Sequence, residues 1–394
     1  MGEQPEMTTL PRRGPKVLIL YAQFGEGHWQ AAQALKAGFE RHGIADVRLL
    51  DLMAESHPIV NGVSRFVYRN SYAYWPQVYG WVYAATKDMK PRSLFAHWLH
   101  SFGADTMKRL IRREQPDIVI HTFPALVLPA MAGRLGRRIR MYNVVTDFEL
   151  HMRWVHPQVN KYYVATEDLR DQLAGTGVPR ERIAVTGIPL RGAFGRGHGR
   201  SALAAAAARY GLDARRPVVL VMAGAQGALP GVRELCGRLC AEPGVQTAIV
   251  CGRNRALADD LRLAFAGNGN VAVFDYVEQI DELMGLSTCI VTKPGGLTLS
   301  EAILAGLPIF LYRPVPGQER GNARYLAAKG AAVVCRTGRE LANAVLGLLG
   351  DPAKRREMLS ALEGLRKKDA ADRIVLDILQ DLPIIEMNES AARI

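Results

Sequence analysis

Short apolar runs alternate with segments of helical periodicity along the whole chain. In the first half the runs are VLILYA, ADVRLLDL, DIVIHTF, RMYNVVT, KYYVAT and RIAVTGIP. In the second half they are PVVLVMAG, VQTAIVCG, NVAVFDYV, CIVTKPG, LPIFLY and AAVVC. Strands that alternate with helices form parallel sheets that are covered on both faces. The two series therefore predict an α/β protein with two Rossmann-like domains whose parallel sheets face a central cleft.

A polar, glycine-rich stretch (RGAFGRGHG) separates the two series and predicts a linker between the domains. The predicted organisation is a flexible N-terminus (1–15), an N-terminal Rossmann-like domain (16–190), a linker (191–200), a C-terminal Rossmann-like domain (201–370) and a terminal helix and tail (371–394). Ligands of open parallel sheets bind beyond the carboxyl ends of the strands. We therefore expect the chemistry in the loops that follow strands.

Residues 60–114 interrupt this rhythm with an aromatic-basic insert. It holds eleven aromatic residues, among them Trp75, Trp81 and Trp98, and nine lysines and arginines against three acids. Amphipathic aromatic helices with basic flanks bind the headgroup region of anionic membranes. The alternatives are an aromatic helical insert that packs on its own domain, or a surface for single-stranded nucleic acid. No nucleic-acid motif accompanies the insert, so we expect no nucleic-acid partner.

The composition narrows the partners and the compartment. The 394 residues carry a formal net charge of +12, which is typical of proteins with anionic partners. No apolar run is long enough to span a membrane, and the first residues lack the apolar core of a signal peptide. The five cysteines are odd in number and lie mostly in apolar contexts, which favours buried, reduced thiols over a zinc site. We expect a cytoplasmic protein.

The stretch CIVTKPGGLTLSEAILAGLPIFLY, residues 289–312, has the features of a nucleotide-diphosphate site. We expect a strand, then Lys293 and the glycine pair Gly295–Gly296, and then a helix that begins near Thr298. Adjacent glycines let backbone amides approach a diphosphate, and a helix N-terminus favours anions. Glu301, expected in the first helical turn, is interpreted either as a ligand for ribose hydroxyls or as a partner of the helix dipole.

Three further loops in the second half carry polar groups. Gly224 and Gln226 lie in a glycine loop after the first strand of this half, and CGRN, with Arg253, follows the next strand. The segment PVPGQERGN places three hydrogen-bonding side chains on a loop and at the start of a helix. These are Gln318, Glu319 and Asn322. Such groups suit several sugar hydroxyls.

The first strand of the chain ends in Gly25-Glu26-Gly27-His28. These residues match two thirds of a dinucleotide fingerprint, with Gln30 where the third glycine is expected. Since Asp51 ends the second strand, an NAD-dependent dehydrogenase is one interpretation. The other is a glycine turn that presents His28 to the cleft, which the missing glycine and the nucleotide site in the second half favour.

The motifs together resemble the diacylglycerol glycosyltransferases of glycosyltransferase family 28. They are GEGH, VVTDFELHMRWVHPQVNKYYVATE, TGIPLR, MAGAQG, CGRN, TKPGGLTLSEA and PVPGQERGNA, in this order. The bacterial glucosyltransferases of this family are similar almost residue for residue over 144–166 and in the PVPGQE loop. The resemblance extends from about residue 16 to about residue 377. It implies a GT-B fold, inversion at the sugar, and a UDP-sugar co-substrate held by the C-terminal domain.

The resemblance also implies roles for single residues. Gly295, Gly296 and Thr298 would approach the diphosphate, Glu301 the ribose, and Gln318 and Glu319 the sugar hydroxyls. Val277 would flank the uracil and Arg253 would lie near the nucleotide. Gly224, Gln226, Lys293 and Asn322 complete the predicted donor-binding set. Because no Asp-X-Asp motif is evident, we expect neither a metal ion in the donor site nor a tightly bound cofactor.

An inverting transfer requires a base that accepts the proton of the acceptor hydroxyl. His28 and Asp147 are the catalytic candidates, with Asp147 either orienting His28 or taking the proton itself. His151, Trp154 and His156 are interpreted as lining of the acceptor site or as packing. Gly25 and Gly27 would shape the turn on the acceptor side, and Trp75, Trp81 and Trp98 would contact the membrane.

The expected function is transfer of glucose from UDP-glucose to the 3-hydroxyl of diacylglycerol at the inner face of the cell membrane, with a second glucose as an extension. Anionic membrane lipids are expected partners. UDP-galactose is the alternative donor, because glucose and galactose differ at one epimeric hydroxyl. A UDP-sugar epimerase, the NAD-dependent dehydrogenase and a non-catalytic membrane-surface sensor of UDP-sugar are more remote alternatives.

Overall fold

The structure is a computed structural model of the chain. It describes residues 14–22, 26–51, 54, 80, 104–124, 127–131, 139–196, 198–227 and 229–382. Within these ranges the chain forms two six-stranded sheets, and all the strand pairs are parallel. The predicted α/β class with two parallel sheets is confirmed, and each of the twelve apolar runs contains one strand.

The N-terminal sheet has the strand order β2-β1-β3-β4-β5-β6. Its strands are β1 (Val17–Tyr21), β2 (Val47–Asp51), β3 (Ile118–His121), β4 (Arg140–Val144), β5 (Lys161–Val164) and β6 (Ile183–Val185). The helices of this half are α1 (Gly27–Arg41), α2 (Ala104–Glu114), α3 (Val127–Met131) and α4 (Glu167–Gly175), with 3-10 turns at Met152–Trp154 and Arg180–Arg182.

Both faces of this sheet are buried, as the near-continuous apolar runs require. Val17 and Ile19 of β1 pack with Phe39 of α1 in one core cluster, whereas Leu18 and Leu20 pack in a second cluster on the opposite face. Alternate residues of a strand point to opposite faces, so a strand buried on both faces is apolar at nearly every position. The first turn of α1 is thereby held at the carboxyl end of β1.

The C-terminal sheet has the strand order β12-β11-β10-β7-β8-β9, which is the doubly wound Rossmann order. Its strands are β7 (Val218–Met222), β8 (Gln246–Val250), β9 (Val271–Phe274), β10 (Cys289–Thr292), β11 (Ile309–Tyr312) and β12 (Ala332–Cys335). Helices α5 to α13 are Ala193–Arg196, Arg200–Tyr210, Val232–Cys240, Arg255–Ala264, Ile280–Leu286, Gly296–Ala305, Gln318–Ala328, Gly338–Leu349 and Pro352–Leu365, in that order. All five cysteines are buried and unbridged, as expected.

The last described helix, α14 (Ala370–Gln380), returns to the N-terminal domain. Ile374, Val375 and Ile378 join the core cluster that covers β1. Asp377 pairs with Lys161 at 2.8 Å and accepts a hydrogen bond from the Tyr163 hydroxyl at 2.7 Å. The chain therefore crosses between the domains twice, once near residue 191 and once before residue 370. The first crossing, predicted as a linker, contains the short helix α5.

Candidate active site

The site lies where the strand order of each sheet reverses. In the N-terminal sheet this point is between β1 and β3, and in the C-terminal sheet it is between β7 and β10. The loops on the two sides of such a point diverge and leave a crevice for a ligand. His28 follows β1 and Thr122 follows β3, so these two residues meet at the reversal point of the N-terminal sheet.

Hydrogen bonds to Nδ1 of its ring and to its backbone carbonyl fix the orientation of His28 at the start of α1. Its Nδ1 lies 2.7 Å from the carbonyl oxygen of Thr122 and 3.1 Å from Oγ1 of Thr146. The Thr122 hydroxyl donates to the His28 carbonyl at 2.9 Å, and the Phe123 ring meets the imidazole edge-on. Because a carbonyl oxygen can only accept, Nδ1 carries the hydrogen and Nε2 keeps its lone pair. This tautomer suits a base that acts through Nε2.

Asp147 lies close enough to His28 for their charges to interact. Burial lowers the pKa of His28, and the Asp147 carboxylate opposes that shift. Burial also raises the pKa of Asp147, which a hydrogen bond from Asn322 and the proximity of His28 oppose. A neutral imidazole beside a carboxylate can accept a proton and gain an ion-pair partner when it does. The structure thus brings the two candidate catalytic residues together as a partly buried pair.

The loops after β7 and β10 meet at the reversal point of the C-terminal sheet. Gly224 has a φ of +80°, and a Cβ placed on it would lie 3.4 Å from Cε of Lys293. The Lys293 side chain therefore lies across the Gly224 turn. Burial lowers its pKa to about 8, so the ammonium is poorly solvated. Such a cation suits a diphosphate. Gln226, in the same turn, is exposed.

Helix α10 begins at Gly296, with Gly295 as its N-cap, rather than near Thr298. The expectation that Glu301 lies in the first turn is wrong, because Glu301 is the sixth residue of the helix. Glycine can occupy the N-cap and first positions, so the helix starts within the glycine pair. The amides of the first turn therefore lie at the glycine loop, and half-buried Thr298 lies within that turn.

Two carboxyl groups in the C-terminal half are buried. Burial raises the pKa of Glu301 to about 7, with Arg191 opposing the shift and Asp281 adding to it. Burial raises the pKa of Glu319 in α11 to about 7 as well, although its Oε2 accepts a hydrogen bond from the Val315 amide at 3.2 Å. Buried carboxyl groups of this kind are poised to bind hydroxyl donors.

The start of α11 carries the remaining predicted sugar ligands. Gln318 is its first residue and is half-buried. Asn322 is completely buried. Its side chain accepts a hydrogen bond from the backbone N–H of Phe148 and donates to the Asp147 carboxylate and the Pro294 carbonyl. The structure thus places Asn322 against Asp147, a candidate catalytic residue, as well as beside the glycine loop.

Arg253 forms a contact between the domains. It is paired with Glu26, which precedes α1, and its guanidinium lies over the Tyr276 ring at 5.1 Å from the ring centroid. Val277, the expected neighbour of the uracil, follows Tyr276 in the chain and is partly buried. No sequence motif assigns a role to Glu26. Its partner lies more than 200 residues away in the chain, so no local pattern could identify it.

His151, Trp154 and His156 make contacts that stabilise their own loop. His151 accepts a hydrogen bond from the Arg153 amide, and the carbonyl of buried Trp154 accepts one from Asn143. The Tyr162 hydroxyl accepts from the His156 amide. These contacts are those of the packing interpretation, while a place in the acceptor site stays a prediction. Gly25, Trp75, Trp81, Trp98 and most of the insert lie outside the described residues.

Thr122, Thr146 and Pro294 belong to the site although the sequence analysis did not select them. The signal available for Thr122 was its position directly after a buried strand. The described residues contain no group of three or more potential metal ligands, and the absence of a metal stays a prediction. In the described part of the chain, no helix has the length and apolarity to cross a bilayer.

Known proteins match both halves of the chain. The family model of monogalactosyldiacylglycerol synthase matches residues 28–190, and that of the glycosyltransferase family 28 C-terminal domain matches residues 218–374. The processive diacylglycerol β-glucosyltransferases of Bacillus cytotoxicus and Bacillus anthracis are each 40% identical over 370 residues, which is 94% of this chain and 94% of theirs.

Solved structures of low sequence identity share the fold. MurG of Acinetobacter baumannii has a TM-score of 0.60 and 17% identity, and covers 93% of this chain and 100% of its own. HepE of Anabaena in complex with UDP and glucose has a TM-score of 0.54 and 14% identity (94% and 100% covered). The UDP-GlcNAc 2-epimerase of Neisseria meningitidis bound to UDP-GlcNAc has a TM-score of 0.57 and 16% identity (93% and 100% covered).

The fold and the two facing half-sites define a glycosyltransferase of the GT-B class. The chain belongs to the diacylglycerol glycosyltransferases of glycosyltransferase family 28, as its identity to the two Bacillus proteins over nearly its whole length demonstrates. Because the chain belongs to this family, it is neither a UDP-sugar epimerase nor an NAD-dependent dehydrogenase. The epimerase structure shares its fold at only 16% identity.

Proposed function

We propose that this enzyme transfers glucose from UDP-glucose to the 3-hydroxyl of diacylglycerol, with inversion at the sugar, at the cytoplasmic surface of the membrane. The names of the two Bacillus relatives support the reaction. The observation that carries it is the approach of α1 to α10. A Cβ placed on Gly27 would lie 3.8 Å from Cβ of Leu297. The first turn of α1, which carries His28, is therefore in contact with the first turn of α10, the helix assigned to the diphosphate.

The C-terminal half would hold the donor. The first-turn amides of α10 and the Lys293 ammonium would neutralise the diphosphate, since a helix N-terminus and a poorly solvated cation both favour an anion. Glu301 would accept hydrogen bonds from the ribose hydroxyls, and Gln318 and Glu319 would bind the hydroxyls of the sugar. Together these groups would place positive charge and hydrogen-bond donors and acceptors around the leaving UDP, where they can stabilise its developing charge.

The N-terminal half would supply the base. Nε2 of His28 removes the proton of the acceptor hydroxyl, and the oxygen attacks C1 of the sugar from the face opposite UDP. The bond between C1 and the diphosphate oxygen breaks, its electron pair leaves with UDP, and the configuration at C1 inverts. Asp147 then stabilises the imidazolium. The Thr122 carbonyl, which holds Nδ1–H at 2.7 Å, keeps Nε2 available throughout.

Glucose is favoured over galactose because the two Bacillus relatives bear the name β-glucosyltransferase. A galactosyl transfer is the second candidate, since the monogalactosyldiacylglycerol synthase model matches residues 28–190. Gln318 and Glu319 offer hydrogen bonds that either sugar could use, so the donor must be decided by experiment.

The test is a transfer assay with purified protein, diacylglycerol in phospholipid vesicles, and radiolabelled UDP-glucose or UDP-galactose. We expect labelled lipid from UDP-glucose, with a kcat/KM at least about tenfold above that from UDP-galactose, because one mispaired hydroxyl costs at least about 1.4 kcal/mol. Preference for UDP-galactose would replace the donor assignment. No labelled lipid from either donor would refute the proposed function.

A further inference from the structure

We propose that Asn322 is a positioning residue, whose amide joins the donor-phosphate loop to Asp147 and thereby assembles the catalytic pair when the two domains close. Asp147 belongs to the catalytic pair through the proposed function, so this inference rests on it. The inference departs from the role expected for Asn322, which was to read the sugar hydroxyls.

The Asn322 amide makes three hydrogen bonds to two domains. Its Oδ1 accepts from the backbone amide of Phe148 at 2.8 Å. Its Nδ2 donates to Oδ1 of Asp147 at 3.1 Å and to the carbonyl oxygen of Pro294 at 3.0 Å. Pro294 immediately precedes the glycine pair assigned to the diphosphate, and Phe148 follows Asp147. One side chain thus connects the donor loop with the loop that carries the catalytic carboxylate.

A carboxamide suits these partners better than other side chains of its size. The Phe148 amide needs an acceptor, whereas the Asp147 carboxylate and the Pro294 carbonyl need donors. An aspartate would place a second negative charge against Asp147, and a leucine would leave all three groups without this partner. Both amide hydrogens are used, so in this arrangement Asn322 has no hydrogen to give to a sugar hydroxyl. Its complete burial makes each bond costly to lose.

The surrounding contacts hold the two domains against each other at this point. A Cβ placed on Gly296 would lie 2.0 Å from the Thr146 carbonyl oxygen, so the loop before Asp147 is pressed against the start of α10. The rings of Phe148 and Tyr325 stack with centroids 5.8 Å apart. The Tyr325 hydroxyl also donates to Asp168 at 2.9 Å. Opening the cleft would separate Asn322 from Asp147.

The hydrogen bond from Asn322 favours the charged form of Asp147. Its charged and titratable neighbours are His28 from α1 and Glu149 from its own loop. Burial and Glu149 raise the pKa of Asp147, whereas Asn322 and His28 lower it. Without Asn322 the carboxyl group would keep its proton to a higher pH and could not stabilise the imidazolium. Closure over the donor would therefore complete the catalytic pair only when Asn322 reaches it.

The experiment compares the pH dependence of kcat/KM for UDP-glucose in the wild type, Asn322→Ala, Asn322→Asp and Tyr325→Phe. We expect the acidic limb to move up by about one pH unit in Asn322→Ala, because a hydrogen bond to a charged group is lost. It should move further in Asn322→Asp, which is nearly isosteric and guards against a packing defect. Tyr325→Phe removes a different hydrogen bond between the domains, so it should lower kcat/KM without moving the limb.

Three outcomes would overturn the inference. The first is that the acidic limb of the kcat/KM profile stays in place in both Asn322 variants. The second is that the limb moves equally far in Tyr325→Phe. The third is that an Asn322 variant changes the preference between UDP-glucose and UDP-galactose while its acidic limb stays in place. The last is the signature of a residue that reads the sugar. Failure of the proposed function is distinguishable, because the wild type itself would then transfer no glucose.

Discussion

The buried carboxyl groups of Glu301 and Glu319 couple the donor site to the stability of the protein. Burial raises the pKa of each to about 7, above the ordinary value of 4.5. Between these pH values the folded state binds more protons than the unfolded state, so the free energy of unfolding falls as pH rises. Above pH 7 the loss is complete. These two groups therefore contribute more to the stability of the ligand-free enzyme at pH 5 than at pH 8.

Replacing either carboxyl group by its amide should remove that group's share of the fall in the free energy of unfolding with rising pH. We expect Glu301→Gln and Glu319→Gln each to be more stable than the wild type at pH 8, by on the order of 2 kcal/mol, with little difference at pH 5. Urea unfolding at the two pH values measures this. Glu357→Gln, at an exposed position on α13, is the matched control and should behave as the wild type. Equal effects at both pH values would show that the carboxyl groups are ionised throughout.

The sequence predicted single residues well where the local chain decides their position. His28 was selected because it follows a buried strand and begins a helix, and the structure places it there. The partners of His28 and Asn322 were not predictable in this way. Thr122 meets His28 because β3 pairs with β1, and Asn322 meets Asp147 because two domains close. Both contacts depend on tertiary arrangement, which periodicity does not specify.

The close contact between the start of helix α10 and the loop before Asp147 depends on the small size of Gly296. A Cβ there would lie 2.0 Å from the Thr146 carbonyl oxygen, closer than real Cβ contacts allow, so Gly296→Ala should force the domains apart. We expect a larger radius of gyration in small-angle X-ray scattering and a loss of transfer of about 100-fold, because a displacement of about 1 Å at the site suffices for that.

Gly295→Ala is the matched control for the scattering, since a Cβ on Gly295 would meet no atom within 4 Å. Its radius of gyration should equal that of the wild type. If Gly296→Ala scattered as the wild type and transferred glucose normally, the closed contact between α10 and the loop before Asp147 would not form in solution.

The elements themselves were largely predictable, because apolar runs of strand length between amphipathic helices specify a buried parallel sheet. The start of α10 was misplaced by about two residues, since the glycine pair was taken as loop alone. The return of α14 to the N-terminal sheet was not foreseen either. Its apolar face is ordinary for a helix, and the sequence does not indicate which sheet it covers.

The molecule as a whole must bring a nucleotide site to a lipid acceptor. The net charge of +12 and the aromatic-basic insert are the sequence features behind the proposed location at the membrane surface. We expect binding to anionic vesicles that weakens as salt is added, and a substantial loss of binding when Trp75, Trp81 and Trp98 are replaced by alanine. Vesicle sedimentation measures both. If the triple variant sedimented with vesicles as the wild type does, the insert would not be the membrane-binding surface.

The proposed inversion requires the acceptor hydroxyl, deprotonated by His28, to attack the sugar from the side of the cleft opposite the glycine loop of α10. The anomeric configuration of the lipid product, determined by proton NMR after incubation with UDP-glucose (whose glucosyl group is α-linked) and diacylglycerol, tests it directly. A single displacement predicts a β-linked glucosyl-diacylglycerol. An α-linked product would contradict attack opposite UDP and with it the assignment of His28 as the base.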